Sequence, residues 1–235
     1  MMTFPLAALL FDLDGTLIDT APDLADAANH MLTRLGRPPR DEATVSGWIG
    51  DGVPRLIKRA LTGERFGEPD VALFEEAQAL YDAYYETHVA DRSRLYPGVA
   101  RTLADLRAEG FRMACVTNKA GRFARPLLQA VGIADYFDAV LCGDELARAK
   151  PDPLPLVTAC ERLGVACEGA ALVGDSGNDM RAAKAAGMPA LAVAYGYHHG
   201  VDLLGLGAAA VVPTFDGVRN FLRFEGRFLC AKALP

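Results

Sequence analysis

A chain of 235 residues with a net charge of −6 can hold one large domain or a core with a smaller insert, and either buries a sizeable core. The negative balance and the lack of a basic stripe argue against nucleic acid as a partner, and no segment approaches the ~18 apolar residues of a membrane span. Five cysteines (115, 142, 160, 167 and 230) form no close CxxC pair and no basic region opens the chain, so a soluble protein of a reducing cytosol is expected, without a secretion signal.

The first element is the apolar run Leu9-Leu10-Phe11, a buried strand followed at once by Asp12-Leu13-Asp14-Gly15-Thr16. Side chains at that end of a parallel strand open into the crevice where α/β sheets bind ligands. Alternation sets Asp12 and Asp14 on one side of the chain, and two carboxylates that close require a cation or a shared proton. One can then act as a nucleophile while the other handles protons; the alternative is an Asx-type turn leading into a loop.

Helical periodicity then takes over. Asp23–Leu35 lines Leu24, Ala27, Ala28, Met31, Leu32 and Leu35 on one face, and Gly36-Arg37-Pro38-Pro39 stops it. A second segment runs from Asp41 to Ile49 and ends at Gly50-Asp51-Gly52. A third sets Val53, Leu56, Ile57, Ala60 and Leu61 on one face, and a fourth spans Val71–Val89. No strand is expected between about residues 20 and 92, so an all-helical cap is placed inside an α/β chain.

From Tyr96-Pro97-Gly98 onward helices and strands alternate: helix 99–109, strand 112–116, helix 122–131, strand 139–142, helix 153–163, strand 170–173, helix 178–186, strand 190–194 and a short strand at 210–212. That alternation predicts an α/β fold, a Rossmann-like, doubly wound parallel sheet. Domain boundaries follow at 1–18 and 93–235 for the core and 19–92 for the cap. The tail from Arg223 carries no pattern and is expected to be mobile.

Three further segments stand out, the last of which repeats the pattern of strand, acid and turn. Val116-Thr117-Asn118-Lys119 closes one apolar run, Lys150-Pro151-Asp152-Pro153 opens a helix, and Leu172-Val173-Gly174-Asp175-Ser176-Gly177-Asn178-Asp179 ends another strand. With the first motif, these resemble in order the four signature motifs of the haloacid dehalogenase superfamily of phosphohydrolases, over about Leu9 to Val212. Within it the likeness is to the phosphoglycolate phosphatase group, through Asp12 to Leu24, Gly50-Asp51-Gly52 and Val116 to Lys119.

The resemblance implies phosphoryl transfer to water through an aspartyl phosphate on Asp12, with Asp14 as acid and then base. The dehalogenase branch lacks the second acid, so its presence argues against that activity. The resemblance also implies Mg²⁺ held by Asp12, the backbone carbonyl of Asp14 and Asp175, with Asp179 behind them. Thr117, Asn118 and Lys150 would hold the phosphoryl group. Lys119 either faces the phosphate or is merely exposed.

Gly50, Asp51 and Gly52 lead into a helix whose free N–H groups can take an anion such as the carboxylate of 2-phosphoglycolate, unless the glycines serve the turn alone. Arg55 and Lys58 are read as solvated, His198-His199 as a loop near the cleft mouth, and Trp48 as cap core or cap–sheet packing. The expected partner is a small phosphorylated metabolite and the assembly a monomer or homodimer. The rivals are a phosphatase of a sugar phosphate or pyrophosphate, a β-phosphoglucomutase-like mutase, and a signalling receiver or silent binding module. Receivers are shorter and lack the helical insert, and a silent module would have lost one of Asp12, Asp14 or Asp175.

Overall fold

A computed structural model describes residues 6–224. Strands β1 (Ala8–Phe11), β4 (Arg112–Val116), β5 (Ala139–Leu141), β6 (Ala170–Gly174), β7 (Ala190–Val193) and β8 (Ala210–Val212) form one sheet in the order β5-β4-β1-β6-β7-β8. Every pairing in it is parallel. Between β1 and β4 lie β2 (Ile18–Asp19) and β3 (Arg94–Leu95), a two-residue antiparallel ribbon.

The strands were legible as continuous apolar runs because helices cover both faces of the sheet. Along β1, Leu9 and Phe11 enter one buried cluster and Ala8 and Leu10 the other, as strand alternation requires. The first cluster runs on into the helical insert; the second packs under α7 (Leu154–Leu163) and α8 (Gly177–Ala185). The chain goes from β1 out to β4 and β5, then returns to β6 on β1's other side. That reversal opens a crevice beyond the carboxyl ends of β1 and β6, the position where such sheets bind ligands.

Between β2 and β3 stand α1 (Ala21–Arg34), α2 (Glu42–Ser46), α3 (Val53–Thr62) and α4 (Val71–Tyr85). The bounds differ from expectation for local reasons. Helix α1 starts two residues early because Pro22 is tolerated in a first turn. Helix α2 ends at Ser46, after which Trp48 and Ile49 donate to carbonyls three residues back instead of four. Helix α4 ends at Tyr85, four residues before Val89, because Thr87 Oγ1 (3.2 Å) and the His88 ring nitrogen (2.8 Å) take the Tyr84 carbonyl.

Helices α5 (Val99–Ala108) and α6 (Gly121–Ala130) precede and follow β4 as expected. The ribbon β2–β3 and the last helix, α9 (Asp216–Phe224), were not foreseen. From residue 225 on, the tail expected to be mobile lies outside the described residues.

Asp23, 2% exposed, ties the insert's first helix to its return strand. Its carboxylate accepts from Arg92 N (2.8 Å), Ser93 N (2.7 Å) and Ser93 Oγ (2.6 Å). Asp23→Ala leaves two backbone N–H groups and a hydroxyl without this acceptor. Urea unfolding is expected to show a loss of about 3 kcal/mol, the cost of abandoned buried donors to a charged acceptor. A loss below about 1 kcal/mol would mean that water replaces the carboxylate.

Candidate active site

The acids expected at the sheet edge converge there. Asp12 follows β1 and extends the ladder by donating its N–H to Val173 O at 2.9 Å. Asp175 follows β6, and Asp179 lies in the first turn of α8. Asp12, Asp175 and Asp179 are all buried, and each offers an oxygen within 4.8 Å of the others.

Lys150, 4% exposed, enters this cluster from before α7. Its Nζ lies 2.8 Å from Asp12 Oδ1, 2.6 Å from Asp179 Oδ1 and 2.7 Å from Val116 O. Asn118 fixes the lysine's backbone in a reciprocal pair, Nδ2 to Lys150 O (2.9 Å) and Lys150 N to Oδ1 (3.0 Å). The donor expected for phosphate is thus largely committed to placing Lys150. Thr117, 4% exposed, lines the pocket and accepts the Lys119 N–H on Oγ1 at 3.1 Å.

Lys119 is not an exposed residue. Its side chain is 1% exposed and its Nζ lies 3.0 Å from Asp14 Oδ1, so the second acid has its own cation. Asp14 and Asp12 both line the pocket.

Asp175 is held from two sides, by Thr16 Oγ1 (2.7 Å, to Oδ1) and by Tyr197 N (2.6 Å, to Oδ2). Gly15, at φ +86°, makes this approach possible: a Cβ there would run into Asp175 Oδ2 and the Tyr197 ring. Asp179 does double service. Its Oδ2 accepts from Ser176 N (3.0 Å) and Ser176 Oγ (2.6 Å), and Ser176 caps α8, while its Oδ1 meets Lys150.

These surroundings set the charges. Burial, then the neighbouring Asp179 charge, pushes the Asp12 carboxyl up to about 7 against the pull of Lys150. Asp175 is driven well above the carboxylate range by burial and by the charges of Asp12 and Asp179, against its bonds to Thr16 and Tyr197. Burial opposes the Lys150 charge, but Asp12 and Asp179 outweigh it and raise its pKa. Apart from the Asp14–Lys119 pair, three carboxyl groups face one ammonium, so ionising all three would leave an excess of two negative charges. That buried all-oxygen set fits a hard divalent cation.

The insert supplies the opposite wall with the apolar side chains of Leu24, Ile49, Val53 and Leu56 and the backbone of Gly50 and Gly52. Asp51, expected among the substrate ligands, does not line the pocket. It pairs with the buried Arg59 guanidinium at 2.5 Å and accepts from Asn178 Nδ2 at 3.2 Å, because a guanidinium 5% exposed requires a counter-charge. Arg55 and Lys58 pair with Glu68 at the surface. His199 Nε2 donates to Ile49 O at 2.8 Å, which sets the His198-His199 loop against the insert at the pocket's edge.

Sequence reasoning did not single out Thr16, Ser176 and Tyr197 as pocket or ligand-holding residues. Thr16 and Ser176 each lie within two residues of an acid of the site, a local signal. Tyr197 gave none.

A haloacid dehalogenase-like hydrolase family model matches residues 6–187, which include every motif of the site. The chain belongs to the haloacid dehalogenase-like hydrolases. Its relatives in the family include the phosphoglycolate phosphatase of Thiobacillus denitrificans, 51% identical over 216 residues that cover 91% of this chain and 95% of that one. A predicted phosphoglycolate phosphatase from Haemophilus somnus superposes with a TM-score of 0.85 at 32% identity, covering 92% of this chain and 97% of its own. CbbY from Rhodobacter sphaeroides in complex with phosphate superposes at 0.74 with 26% identity, covering 89% and 95%. Among the described residues no helix is long and apolar enough to cross a membrane.

Proposed function

We propose that this hydrolase is a Mg²⁺-dependent phosphatase that converts 2-phosphoglycolate to glycolate and phosphate. The observation that carries the reading is the pairing of two acids with two cations at the end of β1, Asp12 with Lys150 and Asp14 with Lys119. Asp12 attacks phosphorus to form an aspartyl phosphate as the ester P–O bond breaks, and Asp14 delivers its proton to the departing alkoxide. Asp14 then takes a proton from the water that attacks phosphorus and releases phosphate. Thr117 and Lys150 hold the phosphoryl oxygens, Lys150 balancing the negative charge that gathers there. Asp12, Asp175 and the Asp14 carbonyl would hold the metal, with Asp179 orienting Lys150. When bound, Mg²⁺ neutralises phosphoryl charge so that one anion can approach another.

Helices α1–α4, within residues 19–92, serve in this reading as a cap over the core, which among the described residues comprises 6–18 and 93–224. The cap wall supports a two-carbon substrate. It offers no side chain to pair with sugar hydroxyls, and the open N–H groups at the start of α3 suit a carboxylate. The named relatives point to the same ester. Cys115, Cys142, Cys160 and Cys167 are free thiols, which suits a reducing cytoplasm.

Phosphate release measured with Mg²⁺ on 2-phosphoglycolate, sugar phosphates and pyrophosphate tests the assignment. A preference in kcat/KM for 2-phosphoglycolate of at least about tenfold is expected, the discrimination that a few pocket contacts supply. Faster turnover of a sugar phosphate would replace the substrate but keep the chemistry. Transfer of phosphate between sugar hydroxyls instead of to water would make the protein a mutase.

A further inference from the structure

Tyr85, the last residue of α4, is fully buried where the insert meets the sheet. Its ring lies 4.8 Å from Lys119 Nζ, measured to the centroid, on the same ammonium that stands 3.0 Å from Asp14 Oδ1. Phe123 of α6 braces the ring edge-on at 5.0 Å, and Tyr81, one helical turn back, at 5.6 Å. The Tyr85 hydroxyl is buried and makes no hydrogen bond among the described residues. What Tyr85 offers the site is therefore its face, which attracts a cation through the ring quadrupole.

An ammonium on a flexible four-carbon stem is a mobile partner for a carboxylate. Here it is held between a carboxylate and an aromatic face and is nearly closed to water. Asp14 and Lys119 lie in the loops that follow β1 and β4, whereas Tyr85 belongs to the helical insert. We propose that Lys119 is a positioning residue for Asp14, and that Tyr85 holds Lys119 in place, so that seating of the insert sets the acid's position over the reacting ester. This rests on the reading of Asp14 as the group that protonates the leaving oxygen.

The test compares two small phosphates, neither with a carboxylate: the ester ethyl phosphate, whose alkoxide must be protonated as it leaves, and the acyl anhydride acetyl phosphate, whose acetate need not be. The readout is kcat/KM, which covers the steps up to loss of the leaving group. Lys119→Met is expected to lower it about 10²-fold for ethyl phosphate, within the range of general-acid catalysis, and less than about threefold for acetyl phosphate. Lys119→Arg should restore most of the loss. Tyr85→Leu should shift the ratio in the same direction by about tenfold, while Tyr85→Phe, which keeps the ring face, holds the wild-type ratio.

Equal losses on both substrates, or a Tyr85→Leu ratio like the wild type's, would overturn the proposal. If Lys119→Met does not fold, by its melting curve, the Tyr85 pair decides alone. Asp14→Asn run in parallel separates the two levels of the argument. If it fails to discriminate between the two substrates, the acid role of Asp14 is wrong and the proposal falls with it. If it discriminates and Lys119→Met does not, only the positioning role is wrong.

Discussion

Asp12→Asn is expected to abolish phosphate release, by about 10⁴-fold or more, and at the same time to stabilise the metal-free protein at pH 8. The first effect follows from losing the nucleophile, since an amide of equal size cannot form an aspartyl phosphate, and covalent groups removed singly cost in this range. The second follows from the crowding of charge. Asp12 is raised from 3.8 to about 7, first by burial and then by Asp179, so the folded state holds a proton there that the unfolded chain releases at lower pH. Stability from this group is full below about pH 4 and is lost as pH rises towards 7. Removing the charge should return about 2–4 kcal/mol at pH 8, read from urea unfolding in EDTA.

Asp175 is raised for the same reasons, so part of the pH slope should survive in the variant. Saturating Mg²⁺ should flatten the wild-type slope, because a bound cation favours the ionised carboxylates. A variant less stable than the wild type at pH 8 without metal would show that Lys150 outweighs burial at Asp12. Residual Asp12-independent release would remove it as the nucleophile.

What could be read from the chain divides along physical lines. The runs at Leu9–Phe11, Met113–Val116 and Leu172–Val173 announced themselves because strands buried on both faces are apolar throughout. The polar residues that follow them then fell at one edge of the sheet by topology alone. Ile18–Asp19 and Arg94–Leu95 are too short for any period to show, and the ribbon they form depends on a partner some seventy-five residues away. Helix α9 was legible in principle, since Phe215, Val218 and Leu222 are all buried at helical spacing.

At the site, the residue types were readable and their commitments were not. Asn118 carries a carboxamide suited to phosphate, but a backbone thirty-two residues away claims it. Lys119 could be a surface lysine by sequence; only the fold brings Asp14 and Tyr85 to either side of it. Tyr197 bonds Asp175 through its N–H, while its hydroxyl accepts from Thr20 N and Ala21 N (2.9 Å each) and donates to Asp19 Oδ1 (2.7 Å). It thereby links an acid of the site to the segment where the chain enters the insert, through a separation no local pattern encodes.

Lys150→Met should show how far the cluster depends on its one ammonium. The side chain is 2% exposed and its Nζ is shared by Asp12, Asp179 and the Val116 carbonyl, so methionine fills similar space while leaving three carboxylates without an internal counter-charge. Removing one partner from a buried ion pair costs about 3–5 kcal/mol, and the metal-free variant should lose stability on that scale at pH 8. Lowering the pH protonates the stranded carboxylates, so the deficit should shrink towards pH 5. Mg²⁺ should also recover part of it and raise the melting temperature of the variant more than that of the wild type. Phosphate release is expected to fall about 10²–10³-fold even with saturating Mg²⁺, the loss found when one preorganised electrostatic contact to a transition state is removed. Melting curves with and without Mg²⁺, set beside rates on 2-phosphoglycolate, separate the two roles. Stability lost with activity kept would confine Lys150 to charge balance. Activity lost with stability kept would mean that the carboxylates tolerate one another without it, and the excess of negative charge would no longer explain why the site calls for a cation.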